Sequence, residues 1–153
     1  MFAPGGTSHG MNVMPDRYFL DTNIFIYTFD DTARKKRQVA LDLVRQAITT
    51  QRGMVSYQVV QEFFNVALRR FAQPMSKGDA EDYLATVFIP LLAVHSSPGL
   101  YEATLQLTGR GGLSWYDALI VAAAIEGQCD VLYTEDLQHG RKFGSLQILN
   151  PFV

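Results

Sequence analysis

The sequence predicts an α/β domain: a mostly parallel central sheet with helices on both faces. Three observations carry that expectation. Short apolar runs alternate with segments of helical periodicity along the chain. One helix-forming segment, Ala118 to Ile125, is apolar almost all round, as a buried central helix requires. The first apolar run, Tyr18-Phe19-Leu20, stops at Asp21-Thr22-Asn23, and open α/β sheets place their sites at the carboxyl ends of strands.

Taken in order, Tyr18 to Leu20 is the first strand, and the apolar helical run Ile24 to Tyr27 follows at once. Asp30, Asp31 and Thr32 mark a turn. Residues 32–50 have apolar positions at Ala33, Val39-Ala40, Leu43-Val44, Ala47 and Ile48, which is helical spacing. The early turns of that helix carry Arg34-Lys35-Lys36-Arg37, read either as a solvated face or as a phosphate-contacting or partner surface. Gly53 breaks the helix, and Met54-Val55-Ser56 is a second short strand. Ser56 is placed to cap a helix from Tyr57 to about Phe71, whose apolar stripe is Val60, Phe64, Ala67 and Phe71. Ser76 caps a further helix through about Phe88, which Pro90 is expected to end. Leu91 to Val94 reads as a strand, Pro98 opens a helix running to about Thr108, and Gly109 to Gly112 is a loop. That loop lacks the lysine and hydroxyl of a phosphate-binding loop. Ser114 to Asp117 starts the buried helix, which Gly127 ends. Val131 to Tyr133 is a strand, Gln138 to Gly144 a polar loop, and Leu146 to Leu149 a last strand. The predicted order is β-α-β-α-α-β-α-α-β-β.

The 153 residues suit one domain, and 48% hydrophobic content suffices for a core. Residues 1–16, rich in glycine and proline, read as a flexible leader, and residues 17–153 as the folded domain. The leader lacks the basic start and apolar run of a signal peptide, and no stretch is long enough to span a membrane. A net charge of −2 supplies no global attraction to nucleic acid, which leaves any such binding to local patches. One cysteine, Cys129, excludes an internal disulfide and a cysteine metal site, and points to a reducing compartment. His9, His95 and His139 are too scattered to suggest zinc. A relay-receiver reading fails for want of paired acids at the first strand end. A dinucleotide-binding reading fails because Asp21-Thr22-Asn23 stands where a glycine fingerprint belongs.

Four acids then stand out: Asp21, Glu62, Asp117 and Asp136. Asp21 and Asp136 follow strands, and Glu62 lies in the second turn of a helix that leaves a strand. All three are therefore expected at one edge of a parallel sheet. Asp117, in the first turn of the buried helix, is less directly placed. Each alone has a plain structural reading: Asp117 completes a capping box with Ser114, Asp21 or Asp136 shapes a turn, and Glu62 is a solvated helix residue. Together they imply a cation, because two carboxylates about 5 Å apart repel by roughly 3 kcal/mol at an effective dielectric near 20. Mg²⁺ prefers oxygen ligands and keeps several waters, and Mn²⁺ accepts the same set. A carboxylate-held ion of this kind suits phosphodiester hydrolysis. Thr22, Asn23 and Thr134 are placed to support the ligands. Arg34 to Arg37, Arg69-Arg70 and Arg141-Lys142 offer local positive charge to phosphates, with Arg141 and Lys142 the best placed. Tyr27, Trp115 and Tyr116 are candidates either for base stacking or for the core or a subunit interface.

Leu20-Asp21-Thr22-Asn23, Gln61-Glu62-Phe63, Tyr116-Asp117-Ala118-Leu119-Ile120 and Leu132-Tyr133-Thr134-Glu135-Asp136-Leu137, in this order and spacing, resemble a PIN-domain nuclease. The small size is similar to the VapC toxins of toxin–antitoxin pairs. The resemblance covers about residues 17 to 150. It implies an endoribonuclease that hydrolyses RNA phosphodiester bonds with Mg²⁺ or Mn²⁺. Asp21, Glu62, Asp117 and Asp136 would be the catalytic, metal-binding quartet, and Thr134 the hydroxyl beside the last acid. Glu135 is placed to substitute for or assist Asp136. The resemblance further implies a cytoplasmic homodimer, an RNA substrate and a cognate antitoxin. Two rival expectations are a non-catalytic module that uses the acids to bind a cation or partner, and a PIN nuclease acting in RNA processing.

Overall fold

A computed structural model describes residues 15–153. The leader expected over residues 1–16 lies almost wholly outside the described residues. Six strands form one sheet: β1 (Tyr18–Leu20), β2 (Gly53–Ser56), β3 (Leu92–Val94), β4 (Val131–Tyr133), β5 (Lys142–Phe143) and β6 (Leu146–Leu149). Among the described residues, seven α-helices surround it: α1 (Thr22–Tyr27), α2 (Arg34–Thr50), α3 (Tyr57–Ala67), α4 (Lys77–Tyr83), α5 (Ile89–Leu91), α6 (Pro98–Gly111) and α7 (Trp115–Glu126). The strand order is β3-β2-β1-β4-β6-β5. All neighbours are parallel except β5 and β6. The α/β architecture with a mostly parallel sheet is thus the one expected.

The order of strands fixes where a site can form. From β1 the chain steps to β2 and then β3 on one side, and β4 returns on the other side of β1. This reversal opens a crevice at the carboxyl ends of β1 and β4, the usual place for ligands in such sheets. The register aligns Leu20 with Tyr133, so Asp21 and Thr134 leave the sheet side by side. The Asp21 N–H bonds the Tyr133 carbonyl at 3.1 Å.

The core explains why β1 sits at the centre. Tyr18, Phe19 and Leu20 are fully buried, with both neighbours apolar. Helix α7 packs on the sheet through Ala118 to Ala124, all buried, as its apolar composition predicts. An aromatic cluster of Phe25, Phe63, Tyr83 and Phe88 joins α1 and α3 to the α4–α5 region. Cys129 is buried just before β4, and burial pushes its thiol up to about 12, so it is a packing residue and not a reactive one.

Five local expectations are corrected. The segment expected as a loop from Gly109 to Gly112 is instead the last turn of α6, which runs to Gly111 with Gly112 as its left-handed cap. The helix from Tyr57 stops at Ala67, four residues short of Phe71. Ser56 occupies its N-cap position in extended conformation, but the side chain makes no capping bond and its buried Oγ has no partner among the described residues. The segment from Ser76 is not one helix ended by Pro90. It runs as α4, a wide π-helical turn (Leu84–Phe88) and then α5, which contains Pro90. Proline has no N–H to return to the carbonyl four residues back, and its ring crowds that carbonyl. Widening the preceding turn, with Ile89 N–H bonded to Leu84 O, lets the chain pass through Pro90 into α5. The polar loop 138–144 contains β5, which pairs with β6 across the two-residue turn Gly144-Ser145, with Gly144 at φ 63. A glycine followed by one residue is a hairpin signal.

Gly53 tests how tightly α2 closes on β2. A methyl group there would run into Ala47 Cβ and would lie 3.0 Å from Ala47 Cα and 2.9 Å from the Tyr18 ring. The first two are backbone or its direct branch, so they cannot swing aside. Gly53→Ala is expected to lower stability by about 1–3 kcal/mol, the usual cost of overpacking. A urea midpoint equal to wild type would show that α2 is free to move outward.

Candidate active site

Asp21 is the buried centre of the site, at 7% exposure. It follows β1 and is the N-cap of α1, with its Oδ1 accepting from Thr22 N–H at 2.7 Å. Its Oδ2 accepts from the Thr134 hydroxyl at 2.8 Å. The same hydroxyl oxygen accepts from Asp136 N–H at 3.0 Å. Thr134 therefore ties the end of β1 to the loop after β4.

Asn23 completes that tie. Its Nδ2 donates to Asp136 Oδ2 at 3.0 Å and to Thr134 Oγ1 at 3.3 Å, and its Oδ1 accepts from Glu135 N–H at 3.4 Å. Thr22 reaches the other way, donating to Glu62 Oε1 at 2.7 Å. Gln58, one turn before Glu62 on α3, donates from Nε2 to Glu62 Oε2 at 3.0 Å and to the Tyr116 carbonyl at 3.4 Å. Both acceptors face the same Gln58 nitrogen, which fixes the orientation of its amide.

The structure thus gathers Asp21, Asp136 and Glu62, with Thr22, Asn23 and Thr134, into one hydrogen-bonded network. Asp117 joins it only through the chain, as the neighbour of Tyr116. Its own N–H bonds Ser114 Oγ at 3.4 Å, so Ser114 caps the helix, but among the described residues the Asp117 side chain makes no return bond to complete the expected capping box. Among the described residues, no three His, Cys, Asp or Glu side chains form a ready-made cage for a metal ion. The donors are carboxylates and hydroxyls, a set that fits a hard ion such as Mg²⁺ or Mn²⁺, which binds through few carboxylates and retains water.

Electrostatics favour a cation at this position. Burial, with smaller contributions from the charges of Asp136 and Glu62, raises the Asp21 carboxyl to about 7, against the lowering bonds from Thr134 and Thr22 N–H. An acid held in this way without a counter-charge is only partly ionised near neutral pH.

Glu135, expected as a possible substitute for Asp136, points elsewhere. Its side chain pairs with Lys36 and accepts from the Tyr27 hydroxyl at 2.6 Å. The Arg141 guanidinium is also occupied, donating to the Gly111 carbonyl at 2.6 Å and stacking over the Phe143 ring at 4.5 Å. Lys142 lies on edge strand β5, opposite Gln147, which is level with the first residue of β4 and not the last. Neither residue bonds any of the four acids among the described residues. Trp115 and Tyr116 stand exposed at the start of α7, Tyr116 at 64%, whereas Tyr27 is engaged with Glu135 and Lys36. Sequence reading missed the bridging role of Gln58. The signal was its spacing, four residues before Glu62 on one helical face.

A sequence profile for the PIN domain matches residues 18–142. Comparison with curated proteins finds no match. Several solved structures share the fold. A toxin–antitoxin complex from Klebsiella pneumoniae has 20% identity and a TM-score of 0.61, covering 88% of this chain and 97% of that one. Mycobacterium tuberculosis VapC20, a sarcin–ricin-loop-cleaving toxin, has 18% identity and a TM-score of 0.56, covering 78% and 91%. VapBC2 from Rickettsia felis, solved with a DNA fragment from its promoter, has 17% identity and a TM-score of 0.57, covering 86% and 96%.

The raised pKa of Asp21 has a measurable consequence. In the unfolded chain the group titrates near 3.8, and in the metal-free folded protein near 7. Between these values the folded state holds the extra proton, so this group's effect on stability worsens as pH rises from about 4 to about 7 and is flat outside that window. At about 1.4 kcal/mol per unit the total is a few kcal/mol. In EDTA, the urea midpoint of wild type is expected to be lower at pH 8 than at pH 5, and Asp21→Asn should flatten that slope. Equal slopes in the two proteins would mean that the buried acid is not its source.

Proposed function

Because the chain belongs to the PIN domain family, we propose that it is a divalent-metal-dependent endoribonuclease and the toxin of a toxin–antitoxin pair. The observation that carries this reading is the network joining Asp21, Asp136 and Glu62 in the crevice between β1 and β4, with Asp21 held at about 7 until a cation compensates it. The toxin assignment is supported by two of the solved structures above, the Klebsiella pneumoniae toxin–antitoxin complex and the sarcin–ricin-loop-cleaving toxin. Among the described residues, no helix is long and apolar enough to cross a membrane.

Asp21, Asp136 and Asp117 would hold Mg²⁺ or Mn²⁺, with Glu62 acting through water. The ion supplies a Lewis acid that lowers the pKa of a water and balances charge on phosphoryl oxygens. The chain's own residues set the stage for that chemistry. Thr134 and Thr22 N–H keep both Asp21 oxygens in place, so the carboxylate does not swing when its proton leaves. Asn23 holds one Asp136 oxygen by its amide, which leaves the other free for a ligand or a water proton. Thr22 and Gln58 bind one oxygen each of Glu62, orienting it beside Asp21 as a general base or water ligand. The exposed Trp115 and Tyr116 are placed to meet unpaired bases next to Asp117. A cognate antitoxin and a homodimer complete the proposed assembly in the cytoplasm.

The decisive assay is cleavage of RNA by the purified chain. Cleavage is expected with Mg²⁺ or Mn²⁺ and not in EDTA. Asp21→Asn should reduce it by a factor of at least about 10² while circular dichroism stays native, since only charge and one ligand oxygen change. Cleavage that survives EDTA, or wild-type rates in Asp21→Asn, would overturn the assignment. Growth arrest on expression, relieved by a neighbouring gene product, separates a toxin from a nuclease of RNA processing.

A further inference from the structure

On the flank of the acid network, four side chains from distant parts of the chain converge. Lys36 of α2 donates to Glu135 Oε2 and to the Tyr27 hydroxyl oxygen at 3.2 Å. Tyr27, at the end of α1, donates to Glu135 Oε1. Both Glu135 oxygens are therefore engaged. The Lys36 ammonium stands 4.9 Å from the Tyr27 ring centre and 5.6 Å from that of Phe152, and the two rings pack edge-on at 4.9 Å. Hydrogen bonding to Glu135, and then to Tyr27, raises the Lys36 pKa and keeps it charged. The Lys36 and Glu135 side chains are 40% and 27% exposed, so the pair is partly shielded from solvent.

The position of Glu135 gives this cluster its meaning. It stands between Thr134, which holds Asp21, and Asp136, which Asn23 holds. Its N–H donates to Asn23. An acid in such a loop has two destinations: the acid network, as a further carboxylate, or the flank. Lys36 and Tyr27 hold it on the flank.

We propose that Lys36 is a positioning residue, which with Tyr27 and Phe152 clamps Glu135 and thereby fixes the loop Thr134–Asp136 against Asn23. The clamp does two things at once. It sets the direction from which Asp136 meets a cation, and it keeps the Glu135 charge out of the Asp21 network. This inference rests on the proposed metal-dependent site.

The test compares Lys36→Met, Glu135→Ala, the double variant and Lys36→Arg in the purified full chain. Three readouts are needed: Mn²⁺ affinity by electron paramagnetic resonance, kcat and KM for RNA cleavage, and the urea midpoint. Lys36→Met and Glu135→Ala are each expected to weaken Mn²⁺ binding and lower kcat by about 10- to 100-fold, the usual cost of losing an outer-sphere support. At saturating Mn²⁺, KM should stay near wild type. The double variant should be no worse than either single one, because each removes the same clamp. Lys36→Arg should retain most of both. The proposal fails if Lys36→Met changes only the urea midpoint, or only KM, which would make it a structural or RNA-contacting residue. It also fails if Glu135→Ala is damaging while Lys36→Met is silent, which would make Glu135 a ligand. If wild type binds Mn²⁺ and the affinities follow the expected pattern but no RNA is cleaved, the clamp stands and the nuclease reading falls.

Discussion

The structure depends on keeping a carboxylate buried at the end of its central strand. Asp21 follows three fully buried residues and is itself 7% exposed. Moving an ionised carboxylate out of water is costly unless hydrogen bonds and charge replace the lost hydration. Each oxygen of Asp21 has one such replacement, the Thr22 N–H and the Thr134 hydroxyl. Neither carries a full positive charge, so the carboxyl titrates near neutrality instead of near 4. The core offsets that cost: Phe19, Leu20, Phe25 and Leu132 are all fully buried within it.

From that constraint the rest of the site follows in sequence. The parallel register of β1 and β4 brings Thr134 beside Asp21, so the loop after β4 must be built around a hydroxyl. The hydroxyl then orders Asp136 through its N–H, and Asn23 binds three successive residues of that loop, Thr134 and Asp136 by their side chains and Glu135 by its backbone N–H. On the other side, Thr22 and Gln58 bind Glu62 from two helices, and Gln58 extends the chain of bonds to the start of α7. Asp117 is thus reached by a path that ends on backbone. Its side chain is the member whose position the network governs least.

Much of this was legible in the residue order. The apolar run of α7, the strand ends at Asp21 and Thr134, and the alternation of strands and helices are patterns of period and composition, and they fix the sheet edge where the acids lie. What escaped is of a different kind. The π-turn before Pro90 is a backbone accommodation that no side-chain pattern announces. The strand β5 is two residues long, too short for any period to show. The pairing of Glu135 with Lys36 spans 99 positions and depends on α2 lying against the loop after β4, a contact that local sequence cannot encode. Adjacency made Glu135 look like a second ligand beside Asp136. In the fold, consecutive residues of this loop point to different neighbours.

The same pairings decide how a phosphodiester would be met. Of the cations that sequence reading offered to phosphates, three are engaged by the fold, Lys36 by Glu135, Arg37 by the Thr28 carbonyl and Arg141 by the Gly111 carbonyl, and Lys142 lies on edge strand β5, level with the start of β4 and not with its end. The crevice therefore presents mainly carboxylates, in a chain of net charge −2. Bringing a phosphate to carboxylates is repulsive at any effective dielectric. Under the proposed function, the attraction must come from the divalent ion itself, with exposed aromatic rings at the start of α7 adding contacts that carry no charge. Substrate binding and metal binding are then one linked equilibrium, and Asp21, whose ionisation the ion governs, is the point at which the two meet.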